Sequence, residues 1–225
     1  MARNEKRRQK RLMKHRRKAK LRQRAHAGMY VPGSAHTKLK IREGRSLPVH
    51  ECLINPSWRE HGLAHILISR RQPGGNLVVA TYLVDTWCLG LKRTYCEADV
   101  PPGEYKARLR AGMYQEERPA KCPLPLAHQI IYGAIDYAER FGFTPDRDFR
   151  LSRFVLEERD SIELSHDIEF GKNGKPFYVS GPHDNPKRVI AQLRSAVGEG
   201  NFDFMIGGPP GYFKNAGLDM PLVFP

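Results

Sequence analysis

Apolar and polar positions follow two different periods along the chain, and each period predicts one type of element. Segments 49–54, 63–71 and 77–88 are short and rich in β-branched or aromatic residues, which is typical of strands. The sequence Gln72-Pro73-Gly74-Gly75 separates the last two, so we expect a hairpin. Because segment 77–88 is almost continuously apolar, we expect it to be covered on both faces.

Helical periodicity follows in the second half of the chain. Segment 125–141 places its larger apolar side chains on one stripe, and Gly142 is suited to end the helix. A short helix is predicted from Pro145 through Leu156. Another is predicted from Pro186, after a cap at Asp184 or Asn185.

Further strands are predicted around these helices. Residues 162–170 alternate between apolar and mostly acidic positions, and Asn173-Gly174 is a strong hairpin-turn signal before segment 176–179. Segment 201–206 is the last predicted strand. Helices do not alternate regularly with strands, so the sequence predicts an α+β fold. We expect a mixed or antiparallel sheet of five to six strands with about three packed helices.

Positive charge is concentrated at the start of the chain. Residues 1–28 carry thirteen Lys and Arg against the single acid Glu5, a net charge of +12, whereas the remainder carries +2. We therefore predict a basic flexible or helical tail and linker over residues 1–47. The α+β domain is predicted over 48–206, and a Gly/Pro-rich tail over 207–225.

The same composition predicts a cytoplasmic protein. No apolar run approaches the roughly 18 residues of a membrane span, and no apolar segment follows the basic start as in a secretory signal. The four cysteines form no CxxC pair, which favours reduced thiols over a zinc site or a disulfide framework. We expect no membrane partner.

Three segments resemble a family of bacterial proteins for which no activity is established. They are LVDTWCLGLK (83–92), LAHQIIYGAIDYAERFGFTPDRDF (126–149) and FGKNGKPFYVSGPHDN (170–185). The resemblance covers most of residues 49–206, and members of the family are similar to this chain in pairing a Lys/Arg-rich start with one α+β body. It implies a bacterial cytosolic protein and brings no catalytic residues.

The basic tail carries the strongest functional signal. Its cations can neutralise many phosphates and release their counterions, and arginine can also stack on exposed bases. The alternatives are a solubility tail or, in a eukaryote, a nuclear-import signal. No helix-turn-helix or zinc-finger pattern is present, which favours RNA over DNA, with the ribosome or a protein as a possible partner. The predicted binding residues are Arg7, Arg8, Lys10, Arg11, Lys14, Arg16, Arg17, Lys18 and Lys20.

Asp85 lies in an otherwise apolar strand and is the main candidate for catalysis. A central-strand carboxylate is typical of metal-dependent nucleases, and the acids Glu163, Asp167 and Glu169 could complete such a site. Magnesium is expected only under this alternative, and otherwise no cofactor is expected. The competing interpretation places Asp85 at a strand end, bonded to backbone amides near Gly90 or paired with Lys92.

Two further groups of side chains have both a functional and a structural interpretation. His128, Tyr132 and Asp136 are spaced four residues apart on one helix, so they could act as general acids and bases or form a solvated face. Trp58, Tyr82 and Trp87 could stack on bases, although packing is their commoner use. The favoured function is non-enzymatic RNA binding. The alternatives are a hydrolase centred on Asp85 and a protein–protein adaptor that uses the C-terminal segment 207–225.

Overall fold

Helices and strands follow one another irregularly in the computed structural model, which describes residues 34–115, 117–161, 166–181, 183–207 and 213–215. The helices are α1 (Ala35–Arg42), α2 (Trp58–His61), α3 (Pro102–Glu104), α4 (Ala111–Met113), α5 (Leu124–Glu139), α6 (Phe149–Ser152) and α7 (Pro186–Val197). The strands are β1 (Val49–Ile54), β2 (Leu63–Arg71), β3 (Leu77–Asp85), β4 (Gly90–Val100), β5 (Ala120–Lys121), β6 (Phe177–Val179), β7 (Asp203–Gly207) and β8 (Phe213–Asn215). Short 3₁₀ turns cover Gly44–Ser46 and Arg153–Val155, and Tyr105–Arg110 is π-helical.

The larger sheet has the order β4-β3-β2-β1-β5, and every neighbouring pair is antiparallel. The predicted hairpin of β2 and β3 is confirmed, with Leu63 opposite Asp85 and Arg71 opposite Leu77. Strand β4 was not predicted, because charged residues occupy its outward positions and mostly small residues its inward ones.

Apolar clusters cover both faces of this sheet. On one face, Ile66, Ala80 and Tyr82 pack with Ile130 and Ala134 of α5. The other face packs against the segment that begins at the π-helix, and the buried side chains there are Leu53, Leu67, Leu77, Val79, Val100 and Tyr105. The double coverage predicted for β3 is therefore confirmed.

A smaller sheet has the order β6-β7-β8, with β6 parallel to β7 and β7 antiparallel to β8. It is joined to α5 and α7 through a third cluster that includes Tyr137, Tyr178, Leu193 and Phe202. Helix α7 begins as predicted at Pro186, and the Asn185 side chain accepts a hydrogen bond from the Arg188 amide at 3.2 Å. The fold class is α+β.

The linker predicted through residue 47 does not extend over residues 34–47, which fold onto the larger sheet. Ser34 caps α1 by accepting a hydrogen bond from the Thr37 amide, and Ile41 is fully buried. Lys40 donates to both carboxylate oxygens of Asp99 at 2.7 Å. Gly and Pro residues near this segment predict a linker, whereas residues 35–42 form a helix with one buried residue, Ile41.

The strand predicted over 162–170 is wrong for its described part, residues 166–170. Their alternation of exposure is present, with Asp167 and Glu169 outward, yet no strand of the described chain pairs with them. Instead the Gln129 side chain accepts a hydrogen bond from the His166 amide and donates one to its carbonyl. A side-chain amide thus replaces a strand partner. Within the described residues, no helix has both the length and the apolarity to cross a bilayer.

Candidate nucleic-acid interface

The nine cations predicted to bind nucleic acid, from Arg7 to Lys20, lie outside the described residues. The described chain begins with a further basic segment. Helix α1 and the following 3₁₀ turn pack against α6 and its 3₁₀ turn. Segments 35–46 and 147–154 together carry seven basic residues and two acidic ones. We call this surface the basic face.

Five cations of the basic face are available for an outside anion. They are exposed, and none of them forms an ion pair with a described residue. The five are Lys38, Arg42, Arg147, Arg150 and Arg153. Lys38 and Arg42 are four residues apart on α1 and therefore project from the same side of that helix.

An aromatic ring lies within this basic face. Phe154 is half-buried, and the guanidinium carbons of Arg45 and Arg153 lie 5.8 and 5.2 Å from its ring centroid. Arg45 is held in place because its Nε donates to the Leu156 carbonyl at 2.7 Å and it pairs with Glu158. Glu158 therefore borders the face as a paired acid. Cations beside an aromatic ring suit phosphate and base contacts.

Asp85 ends β3 and holds the turn to β4. Its carboxylate accepts hydrogen bonds from the amides of Trp87 and Cys88, both at 3.0 Å. Burial raises the pKa of Asp85 to about 6, while Lys92 and these amides act in the opposite direction. This geometry matches the strand-end interpretation. Lys92 itself donates to Asp184 at 2.8 Å rather than to Asp85.

The acids proposed to join Asp85 are not assembled with it in the described part of the chain. Asp167 and Glu169 are exposed, whereas Asp85 is 7 % exposed, and Glu163 lies outside the described residues. Among the residues that the structure describes, no three His, Cys, Asp or Glu side chains are grouped so that they could hold a metal ion.

His128, Tyr132 and Asp136 form a ridge that packs against segment 157–160 instead of facing solvent throughout. His128 is 1 % exposed and donates from Nε2 to the Glu158 carbonyl at 3.0 Å. Burial lowers the pKa of His128, which favours the neutral form of its ring. The half-buried Asp136 pairs with Arg159. These contacts hold segment 157–160 on α5 and leave His128 without access to a substrate.

A cleft of about 660 Å³ lies beside the start of β2. Ser57 and Glu117 line it, and the Ser57 hydroxyl donates to the Glu117 carboxylate at 2.6 Å. His61 and His65 also border the cleft. Because the hydroxyl hydrogen is directed to a carboxylate, Ser57 is not arranged as a nucleophile activated by histidine.

Sequence reasoning did not identify the basic face, although a signal was present. Arg147, Arg150 and Arg153 recur every three residues, which places them along one side of a helical turn. Trp58 and Tyr82 are buried, as their expected packing requires, whereas Trp87 is half-exposed.

No protein-family model, curated protein or solved structure matches the chain.

Proposed function

We propose that this protein binds nucleic acid, with RNA favoured over DNA, through the basic tail and the basic face. The main support is the number of cations in the tail together with the further unpaired cations of the basic face. Residues 1–28 have a net charge of +12, and five cations of the basic face form no ion pair with a described residue. Such cations bind a polyphosphate by releasing its counterions.

RNA is the favoured partner because nothing in the sequence matches a helix that enters the DNA major groove. Unpaired RNA loops also offer bases that stack on arginine and on aromatic rings. A structured RNA with single-stranded loops, such as ribosomal RNA, fits both properties. On this account the tail supplies most of the affinity, and the folded domain contributes contacts that depend on RNA structure.

Fluorescence anisotropy with a labelled RNA hairpin tests this proposal. Changing the nine tail cations that are predicted to bind nucleic acid, from Arg7 to Lys20, to Gln should weaken binding by at least about a hundredfold at low salt. A control variant that exchanges Lys and Arg in the tail keeps the charge and should bind about as well as the unaltered chain. Equal affinity of the Gln variant would overturn the proposal.

A second set of variants tests the basic face. Arg147, Arg150 and Arg153 changed together to Gln should weaken binding by about tenfold. The matched control removes three other exposed cations, Lys106, Lys187 and Arg188, and should have a smaller effect. An equal loss in both triple variants would indicate that only total charge matters.

A further inference from the structure

Trp87 and Phe177 form an aromatic pair outside the apolar core. Their ring centroids lie 5.5 Å apart at an interplanar angle of 49°. Both side chains are half-buried, and neither belongs to the three hydrophobic clusters of the described residues. The Lys172 ammonium lies 4.4 Å from the Trp87 ring centroid and 4.9 Å from that of Phe177. We call these three side chains the Trp87 platform.

The turn that carries Trp87 is fixed by hydrogen bonds on several sides. The Asp85 carboxylate holds the amides of Trp87 and Cys88. The Thr86 amide and hydroxyl both donate to the Gly62 carbonyl, at 2.9 and 3.1 Å. The Phe177 amide donates to the Trp87 carbonyl at 3.1 Å, which joins the two aromatic residues directly. The aromatic pair is therefore preorganised, which reduces the entropy cost of binding a ligand.

Gly62 lies directly against the indole ring of Trp87. Its φ of +68° favours glycine, and a Cβ there would lie 2.1 Å from the Trp87 ring. The backbone at Gly62 thus directly contacts the indole. This close contact and the hydrogen bonds leave Trp87 little freedom to rotate into the core.

A tight turn places positive charge next to the pair. Asn173 and Gly174 both have positive φ, and they join Lys172 to Lys175, which form a β-bridge. Both lysines are exposed, and Lys175 donates to the Gly200 carbonyl at 2.8 Å. In the small sheet, the residue opposite Phe177 is the acidic Asp203.

We propose that the Trp87 platform is a base-stacking subsite for single-stranded nucleic acid. The inference rests on the proposed function and specifies in addition that the ligand is single-stranded. A base takes the position over the rings that the Lys172 ammonium holds in its absence, and the two lysines then contact the flanking phosphates. Aromatic rings beside cations bind single strands in this way with little sequence preference. Bases in a duplex are already stacked on one another and cannot reach the platform.

Intrinsic fluorescence tests this inference, since Trp58 and Trp87 are the two tryptophans of the chain and Trp58 is 6 % exposed. A single-stranded oligouridine should quench the fluorescence of full-length protein at the concentrations where anisotropy reports binding. A duplex RNA of equal length should bind with little quenching. The Trp58→Phe variant, which keeps Trp87 alone, should give the same quenching.

Affinity measurements on Trp87 variants provide the second readout. Trp87→Ala should weaken single-strand binding by about tenfold and leave duplex binding unchanged. Trp87→Phe keeps a stacking ring and should remain within about twofold of the unaltered protein. Circular dichroism and thermal melting on both variants establish that the fold is retained. If the Ala variant does not fold, Trp87→Phe provides the test by fluorescence, because only Trp58 remains and oligouridine should bind without quenching it.

The outcomes distinguish this inference from the function on which it rests. If oligouridine binds but neither quenches Trp87 nor distinguishes Trp87→Ala, the base-stacking subsite is wrong and nucleic-acid binding stands. If neither RNA binds the full-length chain at low salt, the proposed function fails and the inference fails with it.

Discussion

Asp85 illustrates how a single residue can attract two opposite interpretations from sequence. An acid within an apolar strand suggests catalysis. In the structure, however, the Asp85 carboxylate accepts hydrogen bonds from the backbone amides of Trp87 and Cys88, and these bonds position Trp87. Its place at the end of β3 is the decisive fact, because there the backbone supplies unpaired amides. The sequence allowed both interpretations because the extent of β3 and the position of the other acids were not fixed by local pattern.

The raised pKa of Asp85 gives a pH-dependent stability with a definite sign. Because burial raises the pKa from 3.8 to about 6, the folded state holds this proton more tightly than the unfolded state. The stabilisation is complete below pH 4 and is lost as the pH rises through about 6. The free energy of unfolding of the unaltered chain, relative to Asp85→Asn, should therefore fall by about 2 kcal/mol between about pH 4 and pH 6.

Urea denaturation of both proteins across this pH range measures the effect. Asp99→Asn is a suitable control, because the Lys40 ammonium lowers the pKa of Asp99. Because this change lies below the ordinary pKa of 3.8, the difference in stability between the unaltered chain and Asp99→Asn should stay nearly constant as the pH rises from about 4 to about 6. A difference between the unaltered chain and Asp85→Asn that does not change with pH would contradict the placement of Asp85.

At the scale of elements, strongly periodic segments were predicted and irregular ones were not. The β2–β3 hairpin and helices α5 and α7 follow from apolar spacing, caps and turn residues. Helix α1 was not predicted because it depends on contacts with residues distant in sequence. Ile41 is buried in the core, and Lys40 donates a hydrogen bond to Asp99. Segment 166–170 has the spacing of a strand but obtains its hydrogen bonds from Gln129.

Arg70 of β2 joins elements that are distant in sequence. Its guanidinium donates to the Val155, Arg45 and Leu47 carbonyls at 2.7 to 2.9 Å, and to Glu157 at 2.6 Å. The side chain is almost fully buried. This network holds the two halves of the basic face against the sheet.

Replacing Arg70 should therefore destabilise the fold strongly. Arg70→Met leaves Glu157 and three carbonyls without their donor, and should lower the free energy of unfolding by about 3 to 5 kcal/mol. Arg70→Lys should also be destabilising, because one ammonium cannot reproduce the fork of donors. Chemical denaturation measures both. Arg108→Met, which removes an exposed pair with Glu97, should cost less than about 1 kcal/mol. Similar small losses at both positions would show that Arg70 does not join these elements.

At the scale of the whole molecule, charge and fold have separate roles. Residues 29–225 carry a net charge of only +2, and the positive charge is concentrated in residues 1–28 and in the basic face. The tail could be recognised from composition alone. The basic face and the Trp87 platform could not, since each brings together segments that are far apart in sequence.

The salt dependence of RNA binding tests this division of roles most directly. Affinity of the full-length chain for an RNA hairpin, measured from about 50 to about 300 mM KCl, should fall steeply, by about 0.7 logarithmic units per neutralised phosphate for each tenfold rise in salt. With five or more phosphates neutralised, the slope should be steeper than about −3.5. Changing the nine tail cations to Gln should make it much shallower. A slope near zero for the unaltered chain, or an unchanged slope for the Gln variant, would contradict the account.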